Sequence, residues 1–264
     1  MTEAELPMIA AMAVLVGVLG SAVGSFLNVV AHRVPRGLSV VNPPSACPDC
    51  GTPIRNRHNV PVLGWLVLRG RCYDCKAPIS ARYPLVEAGV AALFVLTGLR
   101  FAEEPRLLPA YLAFAGIGGA LALIDLDVRR LPSSIVLPSY PVLGILLALD
   151  GDGGALLRAA LGAAVLFVVY LAIAMVAVGA MGFGDVRLAG LIGGMTAYLS
   201  WGTLLTGAFL GFLLGAAAGL LLIAARRAGR RSAVPFGPFM ILGAWTAVLG
   251  AGHLGDHYLA LLAR

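Results

Sequence analysis

Long apolar runs separated by short polar breaks make up most of this chain. They lie at residues 8–30, 84–101, 108–126, 134–150, 155–180, 187–200, 203–225 and 236–252. A helix needs roughly 20 mostly apolar residues to cross a hydrocarbon layer of about 30 Å, and most of these runs come near that length. The stretch 187–225 is too long for one crossing. Ser200-Trp201-Gly202 divides it, because this tripeptide suits a tight turn and Trp201 suits a membrane interface. The pattern predicts an all-α polytopic membrane protein of about eight transmembrane helices. One long polar stretch, 31–83, follows the first run. The expected organisation is therefore a first transmembrane helix (1–30), a polar loop domain (31–83) and a transmembrane domain (84–264).

Composition strengthens this reading. Hydrophobic residues make up 59% of the 264 and charged residues 12%, whereas a soluble domain has about 45–50% and about 25%. The charge pattern adds an orientation. With eight crossings, 15 of the 19 basic residues fall on one side, all but Arg100, Arg106, Arg158 and Arg264. The positive-inside rule makes that side, which includes loop 31–83, the cytoplasmic one. The net charge of +6 is thus a topology signal and calls for no nucleic-acid partner.

The loop holds all four cysteines, as Cys47-Pro-Asp-Cys50 and Cys72-Tyr-Asp-Cys75. Two CxxC pairs so spaced form a zinc signature, each pair making a knuckle whose thiolates converge. A reducing compartment disfavours disulfides as the competing account. Four thiolates close the coordination shell, so the expected Zn2+ is structural, and a loop too small for a core would draw folding energy from it.

Acidic residues supply the second constellation. Asp125 and Asp127 stand at the end of the third run, and Asp185 closes Gly182-Phe-Gly184-Asp185 before the sixth. Carboxylates are costly within a bilayer and therefore point to function there. Asp127, beside Arg129 and Arg130, reads first as part of an interfacial charge cluster, whereas Asp125 and Asp185 lie among apolar neighbours. Two carboxylates sharing a site titrate as a pair, one form polarising a carbonyl while the other activates water. That is aspartic-protease chemistry, suited at a membrane edge to a substrate that is itself a membrane helix. Gly182 and Gly184 would let the backbone bend and an extended substrate strand approach. Two other readings use the same residues. One is a Mg2+-dependent lipid-diphosphate phosphotransferase holding its metal on Asp125 and Asp127, and the other is a proton-coupled transporter. Gly211, Gly215 and Gly219 form a close-packing ladder on the seventh run.

With these motifs in order, the chain resembles the type IV prepilin peptidases, aspartic proteases of the GxGD type. The likeness also rests on Gly24-Ser-Phe-Leu-Asn-Val-Val-Ala-His-Arg-Val-Pro35, Ile79-Ser-Ala-Arg-Tyr-Pro-Leu-Val-Glu87 and Val234-Pro-Phe-Gly-Pro238. The resemblance implies that Asp125, seven residues before Pro132, and Asp185 are the catalytic pair. It implies cleavage of a short basic leader from type IV prepilins or type II secretion pseudopilins at the cytoplasmic face of the bacterial inner membrane. It further implies N-methylation of the new terminus with S-adenosylmethionine. Membrane lipid surrounds such a protein. Glu87 could meet the basic leader or anchor the second run at the interface, and Asp127 is a second candidate for leader contact. One departure is Ser133, where many members carry an acidic or amide residue after the Leu-Pro pair.

Overall fold

The structure, a computed structural model, describes residues 5–176, 181–225 and 235–262. The 177–180 end of the fifth apolar run, Val234, and the basic residues Arg226, Arg227, Arg230 and Arg231 lie outside the described residues.

The chain divides into two compact units, Met1–Leu108 and Pro109–Arg264. The first contains α1 (Glu5–Arg33), a short α2 (Leu63–Val67) and α3 (Arg82–Arg100). Helices α1 and α3 pack backbone to backbone. A Cβ at Gly20 would lie 2.7 Å from Phe94 Cβ, and one at Gly24 would lie 2.8 Å from Glu87 Cα. Small residues permit this approach where apolar burial cannot drive association. The boundary expected near residue 84 falls inside this unit, because α3 pairs with α1.

Between these helices the polar loop has almost no interior. Gly64 and Gly70 are the only fully buried residues between 34 and 81. Hydrogen bonds hold it instead. The Arg33 guanidinium donates to Ser39 O at 2.9 Å and Pro43 O at 2.7 Å, and Trp65 Nε1 donates to Ile79 O at 3.0 Å.

The second unit comprises α4 (Leu108–Val128), α5 (Ser133–Ala148), α6 (Gly153–Val176), α7 (Phe183–Leu199) and α8 (Trp201–Ala224), then α9 (Gly237–Thr246) and α10 (Gly252–Leu262). A π-type turn over Ala247–Ala251 joins the last two, with Gly250 at φ 150. Among the described residues the helical segments roughly match the eight apolar runs, but the last continues to Leu262 rather than stopping near 252. Ser200 breaks α7 from α8 with an extended backbone, and its hydroxyl accepts from Thr203 N. Six of the described helices are long and apolar enough to cross a membrane. Helices α5 and α7, with 16 and 17 residues, reach only about 24–26 Å at 1.5 Å per residue. Helix α7 is the hub of this unit. Leu188 to Gly193 and Met195 to Tyr198 are all buried, so its sides face other helices. Its polar ends are held too, with Arg158 of α6 donating to the carbonyls of Ala197 (2.6 Å) and Tyr198 (2.5 Å).

Candidate active site and cysteine centre

At one end of the second unit the last turn of α4 and the first turns of α7 and α9 converge. Asp125 is buried, 4% exposed, and its Oδ2 accepts the backbone N–H of Gly237 at 3.0 Å. Asp185 is the third residue of α7, and its Oδ2 accepts the backbone N–H of Gly182 at 3.0 Å. Each carboxylate is therefore pinned through one oxygen to a glycine amide at a helix start, where the helix dipole also favours negative charge.

Both glycines lie against the carboxylate they hold. A Cβ would sit 2.9 Å from Asp125 Oδ2 at Gly237, and 3.3 Å from Asp185 Oδ2 at Gly182. In the sequence Gly237 carries only the helix-start signal of Pro-Phe-Gly-Pro238. It lies 112 residues from Asp125 in sequence, so only the folded chain joins them. At Gly184 a Cβ would be 2.9 Å from Leu131 Cβ, so the bare backbone there admits the protein's own Leu-Pro segment. Leu131 also reaches Gly237, at 3.4 Å from a Cβ there, and so wedges between the two glycine-bearing helix starts.

Around this pair the walls are aromatic and basic. Tyr170, Phe212 and Phe236 cluster with centroids 5.1–6.3 Å apart, and Phe236 directly precedes Gly237. The Arg187 guanidinium lies 4.7 Å over the Phe183 ring and donates to Ser133 Oγ. Ser133 thus supplies the acceptor that an acidic or amide side chain would offer at this position. The Tyr140 hydroxyl donates to Arg187 O at 2.6 Å. An open, largely apolar cleft of about 530 Å³ begins there, lined by Leu137, Tyr140, Phe167, Val168 and Arg187 among others.

The remaining acidic candidates lie elsewhere. Asp127 is exposed while Asp125 is buried, as expected for residues two apart on a helix of 100° per residue. The two face different ways. Glu87, in the first unit, is buried, and its Oε2 accepts the N–H of Val62 at 2.6 Å. It thereby holds Val62 at φ 61, a conformation unusual for a β-branched residue.

The four cysteine Sγ atoms all lie within 4.8 Å of one another. Cys47 Sγ and Cys75 Sγ are 3.7 Å apart, too far for a disulfide and close to the ~3.8 Å edge of a tetrahedron with ~2.3 Å metal–sulfur bonds. The two knuckles repeat one geometry. Cys47 N donates to Thr52 O and Gly51 N to Cys47 O, while Cys72 N donates to Ala77 O and Lys76 N to Cys72 O, all at 2.8–3.1 Å. Hydrogen bonding to Thr52, through its hydroxyl first, brings the Cys50 thiol down to about 7. Backbone hydrogen bonds at Cys75 and Asp74 lower Cys72 as well. Cys75 moves the other way, up to about 12, its backbone hydrogen bond to Ala77 being outweighed by burial and the neighbouring sulfurs, so it is the convergence of the four sulfurs that could hold one ion.

Comparison with known proteins agrees with both units. Residues 18–101 match the bacterial peptidase A24 N-terminal domain, and residues 112–220 match the type IV leader peptidase family. A Pseudomonas putida protein named prepilin leader peptidase/N-methyltransferase is 38% identical, the alignment covering 94% of each chain. An Aeromonas hydrophila protein of the same name is 35% identical over 90% of each. One from Myxococcus xanthus is 42% identical over 83% of this chain and 66% of its own. No solved structure matches the chain. The paired aspartates, the double cysteine knuckle and these likenesses agree, and the chain belongs to the type IV leader peptidase family.

Proposed function

We propose that the chain is a membrane aspartic endopeptidase that removes the basic leader of type IV prepilins or pseudopilins, with Asp125 and Asp185 as its catalytic pair. The observation that carries this reading is the matched pinning of the two carboxylates at one end of the second unit, each by a glycine amide. One aspartate, ionised, takes a proton from water as the water oxygen bonds to the scissile carbonyl carbon. The other, protonated, donates its proton to the carbonyl oxygen. The resulting diol collapses, the C–N bond breaks, and the leaving nitrogen takes a proton from the pair. The two titrate as one system, and no fixed role is assigned to either.

On this reading residues 109–264 form the peptidase unit. The apolar cleft beside Arg187 suits the hydrophobic segment that follows the leader, and exposed Asp127 suits the basic leader itself. Glu87, engaged with Val62, acts on the leader only by shaping α2. Gly182 serves through its amide, and Gly184 by admitting Leu131. The side rich in basic residues, with the aspartates and the cysteine loop, faces the cytoplasm of a bacterial inner membrane. Cys47, Cys50, Cys72 and Cys75 hold a structural Zn2+, the softness and number of their thiolates favouring it. The relatives' name supports a second activity, in which the new N-terminal amine attacks the methyl carbon of S-adenosylmethionine. The C–S bond breaks and the amine loses a proton.

The test is incubation of solubilised protein with a prepilin and S-adenosylmethionine, reading the product's N-terminus by mass spectrometry. Asp125→Asn and Asp185→Asn should each lower cleavage by roughly 10²–10⁴-fold, the range for acid–base groups. Asp127→Asn should leave kcat unchanged. Full cleavage by either catalytic variant would refute the assignment, whereas no cleavage of prepilin by the wild type, with a lipid-diphosphate turnover abolished by EDTA, would favour the metal-dependent phosphotransferase.

A further inference from the structure

The second cysteine knuckle differs from the first at one revealing position. Gly51 follows the first pair at φ 69, and Lys76 follows the second at φ 63. Glycine adopts this conformation freely, while lysine does so at a cost. Arg69, at φ 51, is a second basic residue held in that region nearby. Both line a concave pocket of about 470 Å³ with Leu68, Arg71, Cys72 and Tyr73. Three cations and no carboxylate line this pocket. The neighbouring Asp74 is engaged by Arg55 at 2.8 Å. Lys76 Nζ donates once, to Tyr73 O at 2.8 Å, which leaves an ammonium two of its three donors.

Just upstream, α2 presents an apolar face. Leu63, Leu66 and Val67 are each more than half exposed, and the spacing i, i+3, i+4 puts them on one side of the helix. Leu68, the next residue, lines the pocket. The loop is tethered at both ends to helices long enough to cross a membrane, α1 and α3. Lys76 lies six residues from the start of α3, so at most ~20 Å of chain separates them.

We propose that α2 and the second knuckle dock on anionic phospholipid. The headgroup phosphate occupies the pocket between Arg69, Arg71 and Lys76, and Leu63, Leu66 and Val67 enter the headgroup–acyl boundary. Guanidinium groups match phosphate geometry, basic side chains near an anionic leaflet add attraction, and an exposed apolar face beside them is what an interfacial segment needs. A basic leader would be repelled from this pocket, which separates it from the peptidase substrate.

The experiment is amide hydrogen exchange of residues 63–76 in the full chain, held in nanodiscs of phosphatidylcholine alone or mixed with phosphatidylglycerol. Exchange should be slower in the mixed discs, and each cation removed should reduce that protection about fivefold. Arg69→Gln and Arg71→Gln test the pocket. Lys76→Gly separates binding from folding, because the first knuckle already carries glycine at that position. It should exchange normally in phosphatidylcholine discs yet lose the added protection. Equal exchange in the two discs would overturn the proposal. So would equal protection from inorganic phosphate in phosphatidylcholine discs, which marks a soluble-anion site, or undiminished protection in Lys76→Gly.

Discussion

Gly237 binds Asp125 with its backbone and leaves no room for a side chain. Its N–H donates to Asp125 Oδ2 at 3.0 Å, and a Cβ would stand 2.9 Å from that same oxygen and 3.4 Å from Leu131. Buried Asp125 cannot give way without losing the amide, so Gly237→Ala should displace the carboxylate that the proposed reaction needs. Prepilin cleavage should fall at least tenfold, the scale at which small misplacements act, while circular dichroism stays that of the wild type. Unchanged cleavage would mean that the amide does not position Asp125. Much of this site was legible in sequence, because carboxylates among apolar residues are costly and Asp125 and Asp185 stood out for that reason. Their glycine partners were only half visible. Gly182 is local to Asp185, but Gly237 and Leu131 reach the site through tertiary packing that no local pattern encodes. Glu87 was ambiguous for the same reason, its partner Val62 being 25 residues away.

Helix α7 carries Asp185, and its position depends on how closely α6 approaches it. A Cβ at Gly193 would run into the Gly162 carbonyl oxygen and lie 3.0 Å from Leu166 Cβ, and one at Gly162 would meet Ala197 Cβ. These contacts are with backbone or with Cβ atoms that the backbone fixes, so no rotamer change relieves an added methyl. Gly193→Ala should therefore cost about 1–3 kcal/mol, the usual scale of overpacking, and lower the thermal midpoint in detergent. Gly144→Ala is the control, since a Cβ there has no described atom within 4 Å. Matching midpoints for the two variants would contradict the account. The helices themselves were readable because apolar length is a property of the chain alone, and the break at Ser200 followed from its residue types. The glycine ladder of α8 was half informative. Gly211 meets Met240 and Gly215 meets the Phe236 ring, whereas a Cβ at Gly219 meets no described atom within 4 Å. Five-residue α2 and the π-type turn at Ala247–Ala251 left no periodic signal, being too short to carry one.

The two units are stabilised by different means, and that difference can be measured. In the second unit buried helices pack around α7, and the carboxylate pins all lie within it. In the first, the stretch from 34 to 81 buries only Gly64 and Gly70. A segment without a core cannot offset its ordering entropy by burial. Its hydrogen bonds and the ion pair of Arg55 with Asp74 offset only part of the shortfall, since each bond nets about 1 kcal/mol and an exposed pair ~1 kcal/mol or less. The four converging thiols are the remaining source of stability, and metal binding of this type supplies folding free energy directly. Stripping metal from the whole protein, or the variant Cys47→Ser, should therefore speed amide exchange across residues 44–79. Exchange in α6 and α7, which belong to the second unit, should not change. Metal content read by mass spectrometry should come to one ion per chain, and restoring Zn2+ to the stripped wild type should restore slow exchange while leaving Cys47→Ser fast. If residues 44–79 stay protected after that ion is lost, their order has another source and the thiol cluster is not what folds the loop.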